Sequence, residues 1–267
     1  MNLHLRTEHP DDHYTVESVT RDAHWTGNWD MEPSICDTHL LVHRLRLCPS
    51  YVPELHYVAE HEGKIVGHIM YCTSKIVDDS GVSHEMLTFG PLSVLPEYKG
   101  QGIGKALMRH TFGVACELGY RGVLIFGHPD YYPRVGFRRA AEFGITDSGG
   151  ASYDPFMALP LYEGAFDGIS GRYFIDPAYE DLSYEDVVAF DKKFPHKDLH
   201  VPVPAVVLLE RLAPPAQKAL EDIRGKSLMI MQTKSESAVL AIDGIDDVSI
   251  GIIKDVMREN GQVWGIC

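Results

Sequence analysis

Two rhythms of apolar residues run along this chain. Residues 54–79, ELHYVAEHEGKIVGHIMYCTSKIVDD, form two β-rich runs around the polar turn EHEGK, the pattern of an antiparallel hairpin. The next apolar run, MLTFGPLSVL at 86–95, predicts a strand with a bulge or splay where Gly90-Pro91 breaks its ladder. After a glycine-rich turn, Ile103, Leu107, Val114 and Leu118 return at helical spacing, and Gly119 supplies a stop. RGVLIFGHP reads as a short strand buried on both faces, DYYPRVGF as a helical turn ending in Gly-Phe, and FMALPLY as a further strand.

Upstream, residues 1–14 read as a loose tail, YTVESVT as a strand and TGNWDMEPSIC as a turn. Asp37 is placed to cap the helical run THLLVHRLRLC, in which Leu41, Leu45 and Cys48 share a face that Leu40 and Leu47 widen. Downstream, 162–204 is mostly irregular, with one helix within YEDLSYEDVVAFDKKF and an extended linker at VPVPAV. PPAQKALEDI, SESAVLAI and VSIGIIKDVMRENG then predict short helices, the first opened by proline and the last two separated by DGIDD. The expected architecture is a mixed α/β (α+β) domain over 1–175, an irregular connection at 176–204 and a small helical domain over 205–267, with no internal repeat.

Bulk properties narrow the function classes. The chain has 267 residues, 45% apolar and 23% charged, as for ordinary globular proteins. A formal net charge of −14 disfavours nonspecific binding to nucleic acid or anionic membranes. No early apolar run resembles a signal peptide, and no stretch reaches the roughly 18 apolar residues of a membrane span. Cys36, Cys48, Cys72, Cys116 and Cys267 are odd in number and widely spaced, which fits reduced thiols and a cytoplasmic setting. The 14 histidines are dispersed, and His61, His68 and His84 lack ligand spacing, so no metal is expected.

The glycine turn carries the first chemistry. In LPEYKGQGIGKALMRH, Gly100, Gly102 and Gly104 lie between a strand and a helix. A helix start offers unpaired amides and partial positive charge, and glycine lets a phosphate approach the backbone. Residues 100–105 therefore form either a plain tight turn or an anion site, with Lys99 and Lys105 adding charge. A P-loop is excluded because Gly104-Lys105 is followed by Ala106. The spacing after Gly102 and the preceding hairpin also exclude a dinucleotide-binding fingerprint.

The stretch from LTFGPLSVL through GHPDYYPRVGF resembles the acetyl-CoA-binding core of the GCN5-related N-acetyltransferases (GNAT). Its signature falls on Lys99, Gly102 and Gly104, with lysine where the family usually has arginine or glutamine. The resemblance implies a GNAT fold with a splayed central sheet. It places the coenzyme A pyrophosphate on Lys99, Gly100, Gln101, Gly102, Ile103, Gly104 and Lys105, and the pantetheine near Leu92 and Val94. It also implies Tyr132, in YPRVGF, as the general acid that protonates the departing thiolate, with Tyr131 as its neighbouring alternative. PELHYVAEHEGKIVGHIMY and FMALPLYEGAF extend the resemblance over about residues 12–175, to a YhbS-like subgroup of N-acetyltransferases.

The expected activity is direct transfer of an acetyl group from acetyl-CoA to a primary amine, on a small molecule or a peptide. The alternative is a noncatalytic acyl-CoA-binding or interaction module. His128, Asp130 and Glu85 are candidates to take the amine's proton, His128 first. Residues 205–262 resemble RNA polymerase α C-terminal and helix-hairpin-helix domains, but Gly244-Ile245-Asp246 and Asp247 put two carboxylates at the would-be phosphate contact. With 6 basic and 8 acidic residues in 215–267, a structural, oligomeric (homodimer) or protein-binding role is expected over DNA binding.

Overall fold

The computed structural model describes residues 2–25, 35–180, 182–198, 203–260 and 264. Most of TGNWDMEPSIC, the start of VPVPAV and Cys267 lie outside these residues. The elements run β1 (His4–Thr7), α1 (His13–Ala23), α2 (Thr38–Leu45), β2 (Tyr57–His61), β3 (Lys64–Val77), β4 (Ser83–Val94), α3 (Ile103–Glu117) and β5 (Gly122–Phe126). They continue with β6 (Arg138–Arg139), β7 (Ile145–Thr146), β8 (Phe156–Pro160), β9 (Gly171–Phe174) and α4 (Tyr184–Asp191). The C-terminal helices are α5 (Val206–Leu209), α6 (Pro214–Ala219), α7 (Glu236–Leu240) and α8 (Asp247–Glu259).

One sheet organises the first 175 residues, in the order β1-β2-β3-β4-β5-β8-β6, with β9 pairing both β3 and β7. Its pairings are antiparallel except β4–β5 and β7–β9. The expected mixed α/β architecture and the hairpin are present. Glu62 and Gly63, at φ 52° and 75°, make the β2–β3 turn.

Five sequence expectations change. The N-terminal segment contains β1, and YTVESVT lies in α1, where buried Val16, Val19, Thr20 and Ala23 recur at helical intervals. Its β-branched content favours strand locally, but burial of one helical face prevails. Leu47 is 78% exposed beyond the end of α2, so it does not widen that helix's buried face. On α3, Thr111 and Ala115 are buried, whereas Val114 is only partly buried and Leu118, at the C-cap, is exposed. The region 162–204 also contains β9 besides its predicted helix.

That helix, α4, is joined to α1 by a buried ion pair. Arg21, 2% exposed, donates to both carboxylate oxygens of Asp191 at 2.6 and 2.9 Å and stacks over Trp25 at 4.3 Å. Asp191→Ala would leave the guanidinium buried and uncompensated. The expected loss is about 3 kcal/mol of unfolding free energy, read from urea melts; an unchanged midpoint contradicts the assignment.

The helical unit has its own core, with Leu208, Leu220, Ile223, Met231, Ile253 and Met257 fully buried. Asp246, one of the two carboxylates that follow Gly244-Ile245, has a local job. It is the N-cap of α8 and accepts from the Ser249 amide at 2.8 Å. Asp247 adds negative charge in the first turn, where the helix dipole favours it.

Candidate active site

Strand β4 opens the site. Its single register contact with β5 is Leu87 opposite Val123. β5 pairs along its whole length with β8 on its other side, while β4 follows β3 to Val94. A V-shaped gap therefore opens between β4 and β5. Within β4, Leu92 faces Ile69 and Phe89 faces Tyr71, so Gly90-Pro91 together oppose Met70 in a bulge. The peptide between Gly90 and Pro91 is cis. The predicted splay is thus present where the glycine-proline pair interrupts the strand.

Below the gap lies the glycine turn. Gly100 and Gly102 have φ of 75° and 84°, and an added Cβ would meet nothing within 4 Å at either. The second is the N-cap of α3 and sits in the left-handed region that glycine enters without penalty. The first intrahelical bond runs from the Ala106 amide to the Gly102 carbonyl, leaving the amides of Ile103, Gly104 and Lys105 with no carbonyl one turn below. The turn is open toward solvent, with Gly100, Gln101, Gly102 and Lys105 exposed and Ile103 buried beneath. These features fit an anion on the helix start.

Leu92 and Val94 are half-buried along the gap. A Cβ on Gly104 would stand 3.3 Å from the Tyr131 hydroxyl and 3.5 Å from a Leu92 methyl, so these groups meet at the head of α3. Gln101 Nε2 donates to the Glu97 carbonyl at 3.1 Å. Lys99 directs its ammonium to the Ala23 carbonyl, at 3.1 Å, closing the C-terminal end of α1.

Tyr132 sits in the gap. Its ring packs on Gly127, just past the end of β5, where any Cβ would come within 2.3 Å of it. It also meets Phe89 of β4 and Phe137 at centroid distances of 5.9 and 5.6 Å. The ring therefore spans the two strands at the point where they part. Beneath it, the buried Tyr71 hydroxyl is bonded to Thr111 Oγ1 at 2.7 Å; burial raises its pKa, and Tyr132 pushes the same way.

The candidate proton acceptors are dispersed. His128 is 9% exposed, and its Nδ1 accepts from the Asp130 amide at 3.2 Å. Its neutral ring therefore carries the hydrogen on Nε2, a buried atom without a hydrogen-bond partner. Burial lowers its pKa, with Asp130 opposing and Arg134 reinforcing. Asp130 Oδ2 accepts the Glu236 amide of α7 at 3.0 Å, tying the tyrosine turn to the helical unit. Glu85 lies exposed near the start of β4, seven residues and about 23 Å along the strand from Leu92.

One group escaped the sequence reading. His24, at the C-cap of α1, places Nε2 3.1 Å from Ser93 Oγ, between Leu92 and Val94. These residues are 69 positions apart and no local spacing links them. Beside them is a buried network: His68 bonds Thr20 Oγ1 at 2.6 Å and His56 at 3.2 Å, and His56 lies 2.9 Å from Glu8. Burial lowers the pKa of both His56 and His68 from 6.5. The unfolded chain binds these protons first as pH falls below about 6.5, so stability is expected to drop from there toward more acidic pH. Thermal midpoints at pH 7 and pH 5 check this; a higher midpoint at pH 5 contradicts it.

Comparison with known proteins follows the same residues. The family model described as "Acetyltransferase (GNAT) domain" matches residues 53–139, from before the hairpin to just past the tyrosine turn. That stretch of the chain, about a third of its length, is similar to the GNAT acetyltransferase domain. The uncharacterized N-acetyltransferase YjhQ of Escherichia coli K12 is 41% identical over 91 residues, which are 33% of this chain and 49% of YjhQ. YhbS of the same strain is 28% identical over 112 residues, 42% of this chain and 65% of YhbS. The matched region thus spans about half to two thirds of these relatives. The crystal structure of E. coli YhbS in complex with CoA shares the fold, with a TM-score of 0.58 at 22% identity over 68% of this chain and 94% of that one. A GNAT-family acetyltransferase from Brucella melitensis in complex with acetyl-CoA gives a TM-score of 0.53 at 26% identity, over 67% of this chain and 98% of that one. The GNAT domain match ends at Arg139 and leaves the helical unit outside it. Among the described residues no cluster of three or more His, Cys, Asp or Glu side chains could hold a metal, and no helix is long and apolar enough to cross a membrane.

Proposed function

We propose that the protein transfers the acetyl group of acetyl-CoA to a primary amine. The observation that carries this reading is the gap between β4 and β5, with a glycine turn and helix start at one end and Tyr132 at its fork. Relatives of the same fold are described in complex with CoA and acetyl-CoA, which supports the same cosubstrate here. The pyrophosphate would lie on the amides of residues 102–105. Pantetheine would take the backbone positions that β4 leaves unpaired near Leu92 and Val94.

In this reading a neutral amine attacks the thioester carbonyl, whose developing oxyanion is met by a β4 amide. The C–S bond then breaks, and Tyr132 gives its proton to the leaving thiolate and regains one from the new amide nitrogen. Binding holds the reactants in line, supplying the entropic part of the acceleration. His128 serves poorly as the base, because its lone pair is already held by the Asp130 amide. Calorimetry with acetyl-CoA, followed by thiol-release assays on an amine panel, tests the proposal. Binding without amine-dependent release would leave an acyl-CoA-binding module, and no binding would end the reading.

A further inference from the structure

Tyr132 opens a single 3-10 turn, Tyr132–Val135, rather than standing on a strand or a long helix. An acid that must meet a departing thiolate needs placing to within about 1 Å, so something must hold this turn. Its entry is closed by the His128 carbonyl, which accepts the Tyr131 amide at 3.0 Å and the Tyr132 amide at 3.3 Å. Pro129 and Asp130 form the tip between them. The inner side is packed, with the Tyr132 ring on Gly127 and against Phe89 and Phe137. The outer side is open. Pro133 and Arg134 are exposed, and a cavity of about 510 Å³ lies between Pro133 and Phe137 on one side and Ser235, Ala238 and Ala241 on the other. Apolar packing therefore does not press the turn into place from here.

Asp130 supplies the hold. Its carboxylate accepts the Glu236 amide at 3.0 Å, across 106 positions of sequence, while its own amide donates to His128 Nδ1 at 3.2 Å. Glu236 is the first residue of α7, so its amide has no carbonyl one turn below to take it. Helix α7 is itself well anchored. Ser235, 5% exposed, caps it by accepting the Ala238 amide at 3.0 Å. Val239 is fully buried in the helical core, and Glu236 pairs with Lys254 of α8 at 2.7 Å. Among the described residues, that core draws only on positions from 203 onward. The bond to Asp130 thus joins two separately packed units, two residues before Tyr132.

We propose that the helical unit braces the catalytic acid: Asp130 is a positioning residue, held by the first amide of α7, that keeps the Tyr132 turn aligned with the gap between β4 and β5. This rests on the acetyltransferase reading above. Asp130 then neither takes nor gives a proton, and acts only through the geometry of the turn. Loss of the brace falls on kcat, because the amides of residues 102–105 belong to the glycine turn and α3 and keep their places.

The test uses the full chain and separates bracing from proton transfer. Asp130→Asn keeps a side-chain oxygen that can accept the α7 amide but cannot serve as a base. Asp130→Ala removes both. Glu236→Pro deletes the donor from the other side. Proline is tolerated at the first helical position, and Ser235 before it already has the extended ψ of 151° that a following proline favours. Lys254→Ala is the control, since it breaks the exposed ion pair that Glu236→Pro also loses and leaves the amide in place.

Turnover is read as thiol release from acetyl-CoA, with whichever amine of a polyamine, peptide and aminoglycoside panel supports it. Asp130→Ala and Glu236→Pro should each lower kcat about tenfold, with acetyl-CoA affinity by calorimetry within about threefold of the parent. The double variant should fall no further than either, because both changes break one bond. Asp130→Asn and Lys254→Ala should keep kcat within about threefold of the parent. Melting curves confirm folding; if Glu236→Pro fails to fold, the contrast between Asp130→Ala and Asp130→Asn still decides. An unchanged kcat in Asp130→Ala, an equal loss in Asp130→Asn, or losses that multiply in the double variant would overturn the brace and leave the acetyltransferase reading intact. No amine-dependent turnover in the parent removes both.

Discussion

Gly102→Glu is expected to weaken acetyl-CoA binding by at least about 100-fold, some 2.7 kcal/mol, while the protein still folds. Two effects combine. At φ 84° a side chain strains the backbone by about 1 kcal/mol. The larger effect is a carboxylate held at the head of α3, among the amides that would receive the pyrophosphate. The space around Gly102 is open, so the residue fits without disturbing the core. Gly102→Ala separates the effects, because it keeps the strain and omits the charge. Alanine should bind within a few-fold of the parent. Calorimetry on both variants, with melting curves to confirm folding, decides the matter; wild-type affinity in Gly102→Glu would refute an anion site here.

Tyr132→Phe should lower kcat by about 10²- to 10³-fold and leave acetyl-CoA affinity nearly unchanged. Phenylalanine keeps the ring that fills the space over Gly127 and packs on Phe89 and Phe137, so the fork of the sheet is preserved. Only the proton donor is lost. Tyr131→Phe is the matched control. Its hydroxyl stands at Gly104 and Leu92, on the side of the gap assigned to the cosubstrate, so its loss should appear in affinity. Should Tyr131→Phe carry the kcat loss and Tyr132→Phe none, the acid is Tyr131.

What the sequence revealed of this site was local. The hairpin, the interrupted strand, the glycine turn and the tyrosine turn each rest on a run of neighbouring residues with a fixed conformational meaning, such as Gly90-Pro91 or Gly102. Relations across the sheet were not legible. The His24–Ser93 contact and the commitment of Lys99 to Ala23 depend on how α1 lies over β3 and β4. The assignment of α1 as a strand has a related cause. Valine and threonine favour extended backbone locally, and only burial of Val16, Val19, Thr20 and Ala23 on one face reverses that preference. Likewise, Asp130 read as a substrate or base residue because its proximity to the tyrosines in sequence said nothing of α7, whose first amide it holds.

The central claim is that the gap between β4 and β5 brings acetyl-CoA and an amine together for reaction. Thiol release from acetyl-CoA, measured with the full chain against polyamines, peptides and aminoglycosides, tests it most directly. The account predicts saturable release that depends on the amine, yields a stoichiometric acetylated product and collapses in Tyr132→Phe. Tight acetyl-CoA binding with no amine-dependent release from any class would contradict it.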